Sequence, residues 1–557
     1  MKAEDVVLGI DLGTTFSAMA IIDRFGKPVI LPNADGQPTT PSVIHFYHRD
    51  ACVVGEEAVK MVVVDPTNVV RFIKRSMGEP DFSLEFFGRS YTPQELSAII
   101  LRKLREDAEE ALGHEVRDAV ITVPAYFNSA QRGATAEAGK LAGLNVLSII
   151  NEPTTAAIAY GIERLGADRR IMVFDLGGGT FDVTLMDIKG VSFKTLASDG
   201  NAELGGKDWD DRLVNHVAEQ FIDRFGVDPR DDAHRYQELY ERCLHAKISL
   251  STRPKAVIPV TYKGHRLVVT IGQDEFNTLT TDLVDQCSDT CQLVLERAKL
   301  SWSDLDEVLL VGGATRMPMI RERLQALSGK VPSEGVNPDE GVALGAALAG
   351  VLRHRPKHPA LLAHRQALAA RSPRSSRGRS TTGPVPTIPP TSRSESAEAR
   401  PRPPVAGPPP TSPELGEVSV VDITSHTLGI VALDRELRER IVPIIPTGTA
   451  VPCEKGGRFA YAYDGMTAVR VVVTEGEGKD RDEVKTIGEV ILDNLAPRPR
   501  GTVIEVVYRY GVNQILEVDV IDVESQVSRR ARIDIRGGLN EEAMNRAMQN
   551  LARAQIN

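Results

Sequence analysis

The chain has 557 residues, 42% of them hydrophobic and 25% charged, with a formal net charge of −10. At roughly 100–200 residues per domain that length calls for several domains or subdomains, and the acidic balance argues against general nucleic-acid binding. No apolar run reaches the ~18 residues of a membrane span. The start, MKAEDVVLGIDLG, lacks the basic-then-apolar order of a signal peptide, and five cysteines at long spacings suit reduced thiols in the cytoplasm.

In chain order, the first element is VLGIDLGTTFSAMAII (7–22): an apolar strand, Asp-Leu-Gly, a Gly-Thr turn and a second apolar strand. AVITVPAYF (119–127) reads as a further strand, ended by Pro124. IMVFDLGGGTFDVTLMDI (171–188) then repeats the first pattern, with three glycines and Thr180 at its turn. Such turns bring backbone N–H groups together, a cradle that suits phosphate oxygens. Two of them can grip one polyphosphate from both sides, while Asp11, Asp175 and Asp182 offer hard oxygen ligands for Mg²⁺, directly or through its waters. Cys287 and Cys291 stand four apart on a predicted helix, two thiols on one face with no second pair to complete a zinc site. VGGATR (311–316) is a third glycine turn after a strand. Up to about 352 the alternation of strands and helices predicts an α/β unit.

Residues 353–414 hold fourteen of the 34 prolines and no sustained periodicity, which predicts a disordered spacer. Between 371 and 402 its seven arginines (371, 374, 377, 379, 393, 400 and 402) face only Glu395 and Glu398, so a docking arm for an acidic partner or anionic surface is a second reading. From 415 to 539, short strands separated by turns predict a β-sandwich. In 540–557 a helix is expected, with Asn540 as N-cap and Glu541 and Glu542 in its first turn.

GIDLGTTFS, ITVPAYFN, INEPTTAAIAYG, FDLGGGTFDV, LGGKDWD, LVGGATRMP and NPDEGVALGAA occur in this order. Together they resemble the DnaK-type seventy-kilodalton heat-shock chaperone family over nearly all of 6–350, and the likeness resumes at 417–545. The resemblance implies an actin-like, two-lobed ATPase domain, an interdomain linker and a peptide-binding β-sandwich under a helical lid. It implies ATP, Mg²⁺ and possibly K⁺ as ligands. The implied partners are unfolded clients, a J-domain co-chaperone and a nucleotide-exchange factor. Residue by residue it implies catalytic roles for Lys74, Glu152, Asp175, Thr180 and Asp182, and metal roles for Asp11, Asp175 and Asp182. Nucleotide would be held by Gly13, Thr14, Thr15, Gly177, Gly178, Gly179, Lys247, Ser251, Gly312, Gly313, Arg316 and Asp339. Pro124 would switch domain states. Leu428, Ile430, Leu433, Ala462 and Val469 would line the peptide groove, although alternating apolar positions also suit an ordinary sandwich core.

The departures from the family pattern are Leu244, where a ribose-binding glutamate is usual, and Ser419 and His426, at normally apolar linker places. His426 is expected to face solvent, with a pH-sensitive contact as the other reading. Only 18 residues follow Leu539, one helix of about 25 Å, so a truncated lid is expected that can lie against the sandwich but not latch over the groove, leaving it open. Two other functions remain open on sequence: a nucleotide-dependent regulatory scaffold and a small-molecule kinase. The kinase gives the sandwich no role.

Overall fold

The computed structural model describes residues 6–163, 168–190, 192–335, 337–355, 419–511, 515–533, 541–553 and 555–556. The spacer expected at 353–414 lies outside them from 356 on, as do Leu539 and Asn540; residues 353 and 354 belong to the helix Gly341–His354. Among the described residues, no helix is long and apolar enough to cross a membrane.

Two sheets organise the N-terminal region. The first runs 145–151, 118–123, 8–11, 16–22, 28–31, with Thr39–Pro41 also paired to 16–22. The second contains 307–311, 169–176, 181–189 and 192–201 in that order. Each sheet holds the same unit: a buried strand, a tight turn, an antiparallel partner, and a parallel strand on the other side. The repeat seen in sequence is therefore a repeat of topology, one copy per lobe.

Helices Glu152–Glu163 and Gly341–His354 lie between the sheets. Their Ala and Gly content follows from how closely backbones meet there. A Cβ on Gly345 would stand 1.9 Å from the Thr155 carbonyl oxygen, and one on Gly9 2.1 Å from Ala347 N. Ala156, Ala157, Ala343 and Ala347 share one core with Val7 and Ala18 of the first sheet and Ile171 and Val173 of the second. Each lobe adds its own outer core. Cys287 and Cys291 are both buried in that of the second lobe, on the helix Thr281–Ala298.

The C-terminal strands form two four-stranded antiparallel sheets, ordered 439–445, 428–433, 469–475, 485–492 and 453–460, 503–510, 516–522, 528–532. Ile504, Val506, Tyr508 and Tyr510 point into their shared core, as the period of two requires.

Two elements leave their expected places. Ser419–Ile423, counted with the sandwich on sequence, extends the second-lobe sheet, pairing in parallel from Ser192↔Ser419 to Lys194↔Val421. Its end then pairs antiparallel with Ala450–Val451 of the sandwich. One strand thus serves two domains, because its two ends meet different unpaired edges. The helix Glu541–Arg553 rests on the first lobe rather than the sandwich. Ala547 and Leu551 enter the first-lobe core, with Met544 packed beside them, the i, i+3, i+7 stripe of an amphipathic helix. Arg102 Nη1 donates to the Leu551 carbonyl at 2.9 Å, and Asn550 Nδ2 to Glu95 Oε1 at 3.2 Å. Gln555–Ile556 then pairs in parallel with Ala51–Cys52.

Leu551→Asp should detach this helix, since losing a buried leucine costs about 2–5 kcal/mol and the carboxylate cannot be buried unpaired. Limited trypsin digestion is then expected to cut after Arg546 and Arg553 much faster than in the wild type, with the melting temperature of the rest nearly unchanged. Resistance equal to wild type would contradict the docking.

Candidate functional site

The two glycine turns meet at their tips. Gly13 takes its place because a Cβ there would stand 1.9 Å from the Phe16 carbonyl oxygen. Its N–H donates to Ser17 Oγ at 3.2 Å, and its carbonyl accepts from Ser42 Oγ at 2.8 Å. In the second turn Gly177 N donates to the Thr180 carbonyl at 3.0 Å. A Cβ on Gly178 would lie 2.4 Å from Thr15 Cγ2, and one on Gly179 2.3 Å from Thr14 Cγ2. The threonines of one lobe therefore occupy the space that the glycines of the other leave free. Helix Gly206–Phe225 begins beneath the second turn, its Gly206 and Lys207 N–H groups donating to the Gly177 and Gly178 carbonyls at 2.9 Å. Arg75 of the first lobe closes the arrangement. Its Nε donates to the Gly179 carbonyl at 2.8 Å, and its Nη2 pairs with Asp208 at 2.6 Å. Sequence reading passed over Arg75; its place next to Lys74 was the available signal.

Below the turns lies a buried charge cluster. Lys74 sits on the short helical turn Ile73–Ser76, entered through Phe72 at φ 60°. Its Nζ donates to Glu152 Oε1 at 2.6 Å, both side chains being buried. Asp182 Oδ1 accepts from Tyr126 N–H at 3.0 Å, and Asp11 Oδ1 from Thr122 Oγ1 at 3.3 Å. Burial first, then repulsion from Glu152, pushes Asp11 and Asp182 up to about 7. The same two causes, with Asp182 and Asp11 added, hold Asp175 well above the carboxylate range. Burial opposes the Lys74 charge, but Glu152 and Asp11 outweigh it and its pKa rises. Asp11, Glu152, Asp175 and Asp182 thus outnumber the one ammonium, an excess that a divalent cation would relieve. Among the described residues, no three His, Cys, Asp or Glu side chains group closely enough to chelate an ion. The donor set therefore fits an ion that keeps its water shell, as Mg²⁺ does, rather than one stripped onto the three aspartates.

The remaining nucleotide candidates gather beside the second turn. Lys247 Nζ donates to the Gly206 carbonyl and to Asp210 Oδ2, each at 2.8 Å. A Cβ on Gly206 would stand 3.3 Å from both Lys247 Nζ and Ala314 Cβ, which brings VGGATR against helix Ala233–Leu250. Gly312 needs its freedom at φ 83°, and Gly313–Arg316 is a short helical turn. Arg316 pairs with Asp339, whose Oδ1 would lie 3.2 Å from a Cβ on Gly313. Ser251 ends the helix that carries Lys247 and lines one cavity with it, Met317 and Pro318. Leu244, half-buried on that helix, brings no hydrogen-bonding group.

Pro124 opens a loop that faces both ways. The Pro124 carbonyl accepts from Phe127 N–H at 3.2 Å. Next, the Ala125 carbonyl accepts from Ser425 Oγ at 2.6 Å, and Ser129 donates to Glu475 through N–H at 3.1 Å and Oγ at 2.8 Å. Asn151 Nδ2 reaches Asp422 at 2.6 Å. His426 is buried at this joint instead of facing solvent, its Nε2 3.1 Å from the Tyr126 carbonyl oxygen and its ring edge-on to that of Tyr126. The five expected groove residues do not share one surface. Leu428, Ile430 and Val469 are buried in the sandwich core, Ala462 is half-buried and Leu433 is exposed. Alternation explains this: Leu433 lies on the opposite face of its strand from Leu428 and Ile430.

Comparison with known proteins follows the same division. The family described as Hsp70 protein matches residues 7–363 and 410–556. The chain is 37% identical over 561 residues to the chaperone protein DnaK of Thermotoga neapolitana, covering 99% of this chain and 84% of that protein. The DnaK chaperones of Thermotoga petrophila and Thermotoga maritima are similar to the same degree.

A carboxylate whose pKa is raised on folding holds its proton better when folded. For Asp11 and Asp182 this stability term is largest at acid pH and falls as pH rises from about 4 to about 7. A cation held near them needs them ionised, so Mg²⁺ should raise the melting temperature more at about pH 8 than at about pH 6. Differential scanning fluorimetry with millimolar MgCl₂ reads this directly; equal shifts at both pH values would separate the ion from these carboxylates.

Proposed function

The chain belongs to the Hsp70 family, and on that footing we propose that it hydrolyses ATP and uses the cycle to bind and release extended segments of unfolded proteins. The observation that carries the reading is the meeting of the two glycine–threonine turns over the buried acidic cluster around Lys74. Backbone N–H groups of the turns would hold the phosphates, and the ammonium of Lys74 would face the charge that develops on the transferred phosphoryl group. Glu152, bonded to Lys74, keeps that ammonium fixed in place. Tyr126 N–H orients Asp182, so a carboxylate aims at the attacking water from a set direction. Mg²⁺, when bound, supplies positive charge to the phosphate oxygens. Lys247, Arg316 and Asp339 would border the nucleoside, more loosely where Leu244 stands. A J-domain co-chaperone and a nucleotide-exchange factor would regulate the cycle in the cytoplasm.

A second reading, a nucleotide-controlled scaffold acting on one partner, is favoured by the burial of Leu428, Ile430 and Val469 in the sandwich core. Steady-state ATP hydrolysis separates the two. A chaperone's rate should rise with an unfolded peptide and a J-domain protein, whereas a scaffold's rate answers to neither.

Lys74→Ala should slow single-turnover hydrolysis by about 10²–10³, the usual loss on removing one preorganised group, while nucleotide affinity stays within a few-fold. A single-turnover rate close to wild type would remove Lys74 from the mechanism.

A further inference from the structure

His426 is the side chain at the interdomain joint that the functional reading leaves unused. It lies between the linker strand and the sandwich, with its side chain 11% exposed. Its Nε2 stands 3.1 Å from the Tyr126 carbonyl oxygen. A carbonyl only accepts, so Nε2 carries the proton there. Nδ1 then faces Glu477 Oε2 at 3.9 Å. In the neutral ring a lone pair is turned toward that carboxylate; in the protonated ring an N–H is.

The other groups around the ring point the same way. Glu475, on the same sandwich segment as Glu477, lies close enough to act on the histidine charge. Tyr126 offers its carbonyl and an edge-on ring at 4.6 Å. Asp199 and Arg297, paired at 3.0 Å, act on Tyr126, and Arg297 also on Glu477. Burial disfavours the histidine charge, but Glu477, Glu475 and the Tyr126 carbonyl outweigh it and hold its pKa above the ordinary range. The same Tyr126 donates its N–H to Asp182 Oδ1 at 3.0 Å. A single residue therefore joins the linker histidine to the cluster beneath the glycine turns.

We propose that His426 is a protonation-dependent latch that holds the linker and sandwich on the nucleotide-binding lobes and positions Asp182 through Tyr126. The positioning half rests on the ATPase reading; the latch does not. The sign is set by the raised pKa. Protonation favours the docked arrangement, whose extra stability is fully present below about pH 6.5 and is lost as pH rises through the higher docked value. Acid conditions therefore lock the two domains together, and mildly alkaline conditions free them.

The test uses the full chain. Histidine-selective NMR follows the ring resonances with pH, the His426 signal being identified by its loss in His426→Gln. Its midpoint is expected above about 6.5, and lower in Glu477→Gln. Small-angle X-ray scattering of the wild type should show the radius of gyration growing between about pH 6 and about pH 8. His426→Gln keeps a donor for the Tyr126 carbonyl but cannot titrate, so its scattering should be flat over that range. A wild-type midpoint at or below the ordinary value overturns the latch, as does a Gln variant that keeps the full pH response. If His426→Gln fails to fold, Glu477→Gln alone decides, by whether the scattering transition moves to lower pH; an unmoved transition overturns the latch. Single-turnover hydrolysis reads the second half: beyond any inflection that Asp11 and Asp182 give to both proteins, the wild-type pH profile should carry a further change, about threefold or more in rate, that His426→Gln lacks. Superimposable profiles overturn the positioning role. No hydrolysis at any pH would instead overturn the ATPase reading and leave the latch to the scattering and NMR results.

Discussion

Four carboxylates and one ammonium crowd into one largely buried volume. Asp11, Asp175, Asp182 and Glu152 converge on Lys74 from both lobes, and buried like charges cannot all remain ionised without a compensating cation. Much of the surrounding structure serves to hold this unfavourable arrangement in place. The aspartates sit at strand ends and hairpin turns, where the backbone cannot move far. The helices between the sheets pack through glycine and alanine, so the lobes stay close enough for Lys74 to reach Glu152. The cluster carries an excess of negative charge, which a hydrated divalent cation would offset.

The same cluster is wired to the sandwich by short polar links. Tyr126 donates to Asp182 and accepts from His426; Ser129 holds Glu475; Asn151 holds Asp422. These contacts are hydrogen-bonded and buried or partly buried, so each is costly to break singly. The linker strand adds main-chain pairing to the second-lobe sheet. The C-terminal helix adds an apolar contact on the first lobe. The sandwich is thus tied to both lobes by different kinds of bond: strand pairing is insensitive to charge, whereas the histidine contact is not.

The glycines at the turns have a simple steric reason. Gly178 and Gly179 face Thr15 and Thr14 with no room for a methyl group. A substitution on either side would push the lobes apart at the point where phosphates would be held. This explains why the two hairpins keep different turn chemistries, two threonines in one and three glycines in the other: they are complementary, not merely duplicated.

What the sequence determined by itself was whatever depends on neighbouring residues. The two hairpins, the α/β alternation, the alternating strands of the sandwich and the amphipathic stripe Met544–Ala547–Leu551 are all set by period and turn chemistry within about 20 residues. The site candidates were legible for the same reason, since Asp11, Asp175, Asp182 and the glycines stand in those turns. Tertiary structure alone decided which edges and faces meet. Arg75 reaches Gly179 across the lobes, Ser419–Ile423 joins a sheet it was not expected in, the C-terminal helix chooses the first lobe, and His426 is buried against a residue 300 positions away. A histidine in a polar linker and an apolar helical stripe have many possible partners in sequence. Only the tertiary packing leaves each of them one.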